Sequence, residues 1–115
     1  MLNDAALTYM ASAIDAAITH LQAHSADPGA AGTSNAIGAR VAVDGTVDSD
    51  GDITWSNVAF TGLGANATVW GVTYWTASTG GTWYGSQPVE TGDTSANAAG
   101  AYTFTSITET GTATA

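Results

Sequence analysis

The chain has 115 residues, ten carboxylates, one arginine and no lysine, which gives a formal charge of −9. That length fits one compact domain, and an apolar content of 44% excludes wholesale disorder. Nucleic acid and anionic membrane surfaces are excluded as expected partners, because binding either depends on clustered cations and here only Arg40 is available. Without cysteine there is no disulfide, thiolate metal site or thiol nucleophile.

The N-terminus reads Met1-Leu2-Asn3-Asp4, with an acid where a secretory leader carries a cation. Asp4 and Asp15 interrupt the one apolar stretch, which is too short and Ala-rich to span a bilayer. The expectation is a protein made and used without membrane translocation. From residue 4 to about 24, Leu7, Met10, Ile14, Ala17, Ile18 and Leu21 recur at spacings of three and four, so the pattern predicts a helix. Asn3 is its expected N-cap, Leu2 and Leu7 are placed as a hydrophobic staple, and Asp4 suits the helix dipole. Pro28 should stop the helix by Asp27. The small, polar stretch that follows predicts a loop or extended arm.

Everything after the arm reads as β. Arg40 to Val43 is a short strand, and Asp44 to Asp52 is an acidic connection. Ile53-Thr54-Trp55 and Val58-Ala59-Phe60 alternate out of phase, which predicts a bulge or turn at Ser56-Asn57. Ala67 to Trp75 is apolar on both faces, as a central strand requires. Ser78-Thr79-Gly80-Gly81 turns it into a hairpin with Thr82 to Tyr84. A polar loop over 91–100, a strand from Ala101 to Ile107 and a Thr-rich tail from Thr108 complete the chain. The fold class expected is mainly β (α+β): an N-terminal helix followed by an antiparallel β-sandwich. The single domain divides into a helix over 1–26, a loop or arm over 27–39 and the sandwich over 40–115.

Chemistry-bearing patterns are sparse. His20 and His24 would share a helix face, but the glutamate of a zinc-protease helix is missing and no third ligand is assigned. Asp48, Asp50 and Asp52 flank Gly51 as in a calcium loop, yet Thr46 and Asn57 stand where the first and last ligands belong. They remain weak calcium candidates, and no cofactor is expected. No nucleophile elbow, phosphate loop or Schiff-base lysine occurs, so the chain reads as no enzyme. Trp70, Tyr74, Trp75, Trp83 and Tyr84 fall within fifteen residues around the hairpin. They suit core packing first, an interface second and a sugar platform third. Arg40 is expected to pair with a carboxylate, within the fold or across an interface, so that Arg40→Ala harms assembly more than folding. Arg40, Trp70, Trp75, Trp83 and Tyr84 are the interface candidates. The strands have almost no lysine or proline to protect their edges, which favours pairing with neighbouring subunits and a homo-oligomer.

Two stretches carry a family resemblance. One is the Ala-rich helix leading into His24-Ser25-Ala26-Asp27-Pro28-Gly29, followed by Gly32 to Asn35 and Arg40. The other runs from Val69 to Gly85, with Gly80-Gly81 before Thr82-Trp83-Tyr84-Gly85. In order and content the chain resembles small virion structural proteins of tailed bacteriophages, of the tail-fibre-like, minor tail or head-decoration kind. Where many relatives place an acid after the asparagine, this chain has Ala36. The resemblance implies a non-enzymatic protein assembled in the host cytoplasm into the virion. Its expected partners are the major capsid protein or other virion proteins, and decoration of the capsid is favoured over a minor tail or fibre role. A small carbohydrate- or calcium-binding β module is the alternative from another class.

Overall fold

The computed structural model describes residues 2–89 and 92–111. It consists of one helix, α1 (Asp4–Ala17), and seven strands: β1 (His20–His24), β2 (Ala36–Ala42), β3 (Thr46–Val47), β4 (Ile53–Phe60), β5 (Gly71–Trp75), β6 (Trp83–Pro88) and β7 (Tyr102–Glu109). The strands form two antiparallel sheets, in the orders β2-β1-β5-β6 and β3-β4-β7. The protein is thus mainly β with an N-terminal helix. Leu21, Ala23, Val72 and Tyr74 of the first sheet meet Ile53, Trp55, Val58, Phe60 and Ile107 of the second in one buried core. Trp55 stacks on Tyr74 across the two sheets, with centroids 5.0 Å apart.

The helix begins as expected. Asn3 caps it by accepting the Ala6 N–H at 2.9 Å, and Asp4 stands in its first turn. It ends at Ala17, seven residues before the expected limit. Ile18 and Thr19 leave the helix, and His20–His24 become a central strand with β2 on one side and β5 on the other. The cause is tertiary. Leu21 and Ala23 point into the core, while Gln22 and His24 are buried on the opposite face. A period of two buried on both sides mimics a helix over so short a run.

The stretch over 27–39 is likewise neither simple loop nor free arm, since β2 already starts at Ala36. Residues 25–35 fold back over the outer face of the first sheet and are tied internally. Gly29 N–H donates to Asp27 Oδ1, Asn35 Nδ2 to the Asp27 carbonyl, and Ser34 N–H to the Pro28 carbonyl. Gly32 sits under the Trp83 indole at φ +72°, where an added Cβ would lie 2.5 Å from the ring. Gly32→Ala therefore meets both left-handed strain and a clash. It should cost about 2 kcal/mol in urea unfolding, well above the usual value for a surface substitution.

The sandwich therefore begins at β1 rather than at residue 40. The expected strand from Arg40 is the second half of β2, and the acidic connection contains the short β3. At Ser56-Asn57 there is neither an inserted residue nor a turn. Asn57 adopts φ 52°, and β4 and β7 keep one register from Ile53↔Glu109 to Phe60↔Tyr102. The kink exchanges the faces of β4, so that Ile53 and Trp55 before it and Val58 and Phe60 after it all reach the core. The central strand forms over Gly71–Trp75 only, leaving Ala67–Trp70 of the expected strand outside it; β5 is buried along its whole length and pairs in the expected hairpin with β6, which runs on to Pro88. Strand β7 includes Thr108 and Glu109 of the expected tail, whose residues 112–115 lie outside the described residues. Among the described residues no helix is long and apolar enough to cross a membrane.

Candidate functional site

Strand β1 places His20 and His24 on one face but about 13 Å apart along an extended chain, too far to share an ion. His24 is fully buried instead. Its Nδ1 faces the Ser34 carbonyl at 2.8 Å and so carries the proton; Nε2 then accepts from the Thr73 hydroxyl at 2.8 Å. Thr73 Oγ1 in turn accepts from Trp75 Nε1–H at 2.6 Å. Every donor and acceptor in this chain is assigned with a neutral imidazole. Burial lowers the His24 pKa, the Ser34 carbonyl partly opposes that, and nearby Arg40 lowers it further.

Arg40 continues the same layer. The pairing of β1 with β2 shifts between Leu21 and Ala23, leaving residues 38–40 of β2 opposite Gln22. Gln22 Nε2 donates to the Ile37 and Gly38 carbonyls there, at 2.8 and 3.0 Å. The irregularity places the Arg40 guanidinium 3.9 Å over the Trp75 ring. Nη1 donates to the Ala77 and Gly80 carbonyls at 2.9 and 2.7 Å, holding the β5–β6 turn. Among the described residues no carboxylate forms an ion pair with it. Within the monomer, Arg40→Ala loses two charge-assisted hydrogen bonds and a ring contact. Thermal unfolding of Arg40→Ala should show a loss of about 2 kcal/mol, and Arg40→Lys should recover only part of it. An unchanged melting temperature would show that these contacts do not stabilise the fold.

The remaining aromatic candidates divide by burial. Trp75 is buried under Arg40, whereas Trp70 and Trp83 are half-buried. Trp83 donates through Nε1 to the Gly85 carbonyl. Tyr84 alone of the candidates is more than half exposed, at 52%. These rings do not form one flat platform.

The acidic candidates do converge. Asp48, Asp50 and Asp52 bring carboxylate oxygens within 4.8 Å of one another. Two of them already organise the loop: Asp48 Oδ1 accepts the Asp50 and Asp52 N–H groups, and Asp52 Oδ1 accepts the Gly111 N–H. Thr8 of α1 donates to the Asp48 and Ser49 carbonyls, so the loop also seats the helix. The three residues could supply carboxylate oxygens to a hard cation such as calcium.

Two further surfaces carry grooves. The first lies between the outer strands β6 and β7. There a groove of about 490 Å³ is lined by Gln87, Pro88 and Val89 on one side and residues 103–107 on the other. Beside Gln87, Tyr74 donates its hydroxyl to Glu109 Oε1 at 2.6 Å with Gln87 Oε1 at 2.9 Å, and it lines the neighbouring groove rather than this one. Burial and the Glu109 carboxylate hold the Tyr74 phenol neutral, with its pKa far above the ordinary value. The second surface flanks α1, where Leu2, Met10, Ile14 and Tyr84 are exposed around another groove. The spacing of Met10 and Ile14 was legible as an apolar stripe, but its lack of cover was not.

Comparison with protein-family models, with curated proteins and with solved structures finds no match to this chain.

Proposed function

We propose that the chain is a non-enzymatic structural protein of a tailed-phage virion, a capsid decoration or minor capsid protein that binds and stabilises the outer shell. The observation that carries this reading is the outer edge of β7. It is eight residues long, contains no lysine or proline, and borders the groove beside β6. Such an edge offers backbone N–H and C=O groups to an extended segment of a neighbouring protein, and side chains along the groove can select that segment. The resemblance of the helix-to-Arg40 and Val69–Gly85 stretches to virion proteins supplies the identity of the assembly. A charge of −9 suits a component on the outside of a shell, away from packaged DNA. Many copies then cement the shell by adding contact area across subunit boundaries.

Quantitative mass spectrometry of purified particles tests this directly. A copy number near that of the major shell protein is the expected result. A handful of copies would move the protein to the tail, and its absence from particles would overturn the reading.

A further inference from the structure

The solvent-facing side of α1 is unusual for a chain with ten carboxylates. Asp4 and Asp15, eleven residues and about three turns apart, lie along the same side of the helix as buried Ala11. From that side Asp15 accepts the Gly45 N–H and pins the helix to its own fold. The rest of the helix carries no charge, and its exposed arc runs from Ser12 and Ala16 through Tyr9 and Ala13 to Met10 and Ile14, which border the groove beside Ala11. Tyr9 is 78%, Met10 48% and Ile14 43% exposed. An exposed helix normally covers this side with charged residues.

We propose that this arc is the interface between two copies of the chain, packed as an antiparallel helix pair. Ala6, Met10, Ala13 and Ala17 are spaced by four, three and four, the spacing of a two-helix seam. A twofold axis midway between Met10 and Ala13 sets Met10 against Ala13 of the second copy, large against small. The same axis sets Ala6 against Ala17, so the seam is complementary to itself, as an isologous contact requires, with Tyr9 flanking it on one side and Ile14 on the other. Asp4 and Asp15 lie on the core side of the helix, away from this seam, so no two carboxylates are brought together. With Leu2 and Tyr84 at the rim, five exposed side chains of roughly 150–250 Å² each present about 500–600 Å². The alanines raise this to about 700 Å² per copy, close to the ~800 Å² of a standard interface.

The inference does not rest on the virion reading, which particle copy number tests separately. Sedimentation velocity of the full chain at concentrations up to about 100 μM should show a dimer. Dimerisation should strengthen as salt rises, because each copy carries −9 and salt screens that repulsion. Met10→Asp with Ile14→Asp, and separately Ala13→Arg, should return the sedimentation coefficient to that of a monomer while leaving the circular dichroism spectrum unchanged. Thr105→Lys on the outer strand β7 should leave the dimer intact. A wild-type chain monomeric at all salt concentrations overturns the proposal. So does a dimer that resists the helix variants, or one that Thr105→Lys abolishes.

Discussion

Replacing His24 with alanine is expected to lower the unfolding free energy by about 3–4 kcal/mol, because it breaks a buried hydrogen-bonded chain rather than one contact. The Thr73 hydroxyl loses its acceptor and the Ser34 carbonyl its donor, both on the covered outer face of the first sheet. The segment over 25–35 that Ser34 anchors then loses a main attachment. His24→Gln should recover part of the loss, since a side-chain amide can still donate to one partner and accept from the other.

The same pair of proteins separates a pH effect. The His24 pKa is depressed below its ordinary 6.5 by burial first and by Arg40 in addition, against the opposing Ser34 hydrogen bond. In the window below 6.5 the unfolded chain therefore binds a proton that the folded protein does not. The stability contributed by neutral His24 is fully present above pH 6.5 and is lost as pH falls through the depressed folded value. Urea unfolding from pH 7.5 to pH 5 should show a steeper decline for the wild type than for His24→Gln. Parallel curves would mean that His24 titrates alike in both states.

Trp55→Ala should cost about 4 kcal/mol, and Trp55→Phe no more than about 1 kcal/mol. Trp55 is 1% exposed and stacks on Tyr74, so truncation to alanine opens a large cavity between the sheets. Its indole N–H has no hydrogen-bond partner among the described residues. Phenylalanine removes that unsatisfied donor while keeping a ring against Tyr74, so the lost volume and the relieved penalty offset one another. Equilibrium unfolding of the two variants measures the difference. If phenylalanine costs as much as alanine, the N–H makes a hydrogen bond in solution.

Both sites show where the sequence is readable. Trp55 falls in an apolar alternation, and its place in the core follows from that pattern. The phase change between Trp55 and Val58 was visible too, since two alternating triplets out of step demand a local backbone exception. Its form was not visible, because only the folded register shows that Asn57 absorbs the change without an inserted residue. His24 shows the opposite case. Its spacing from His20 suggested a helix face, and nothing local distinguishes that from a buried strand of five residues.

For the candidate site, residue types were legible and partners were not. Arg40 was conspicuous as the only arginine, and the expectation that it pairs with a carboxylate followed from the charge balance. The structure gives it backbone carbonyls and the Trp75 face instead, because the β1–β2 irregularity aims it at the β5–β6 turn. The apolar stripe of α1 is legible in the sequence, but what it packs against is not. Only Ala11 is fully buried within the helix, and the exposed Met10 and Ile14 border the proposed interface.

By itself the sequence determined the properties that depend on composition and short-range pattern. These are the acidic, cation-poor surface, the helix start at Asn3, the mainly β class, and the central strand and hairpin around Trp75. Capping, turn chemistry and two-sided burial act over a few residues and leave their mark in the order of the side chains. Only the tertiary structure decided where the helix yields to β1, which partners Arg40 and His24 take, and which apolar faces stay uncovered. Those outcomes depend on strands far apart in the chain competing for the same backbone hydrogen bonds and buried surface, which no local pattern records.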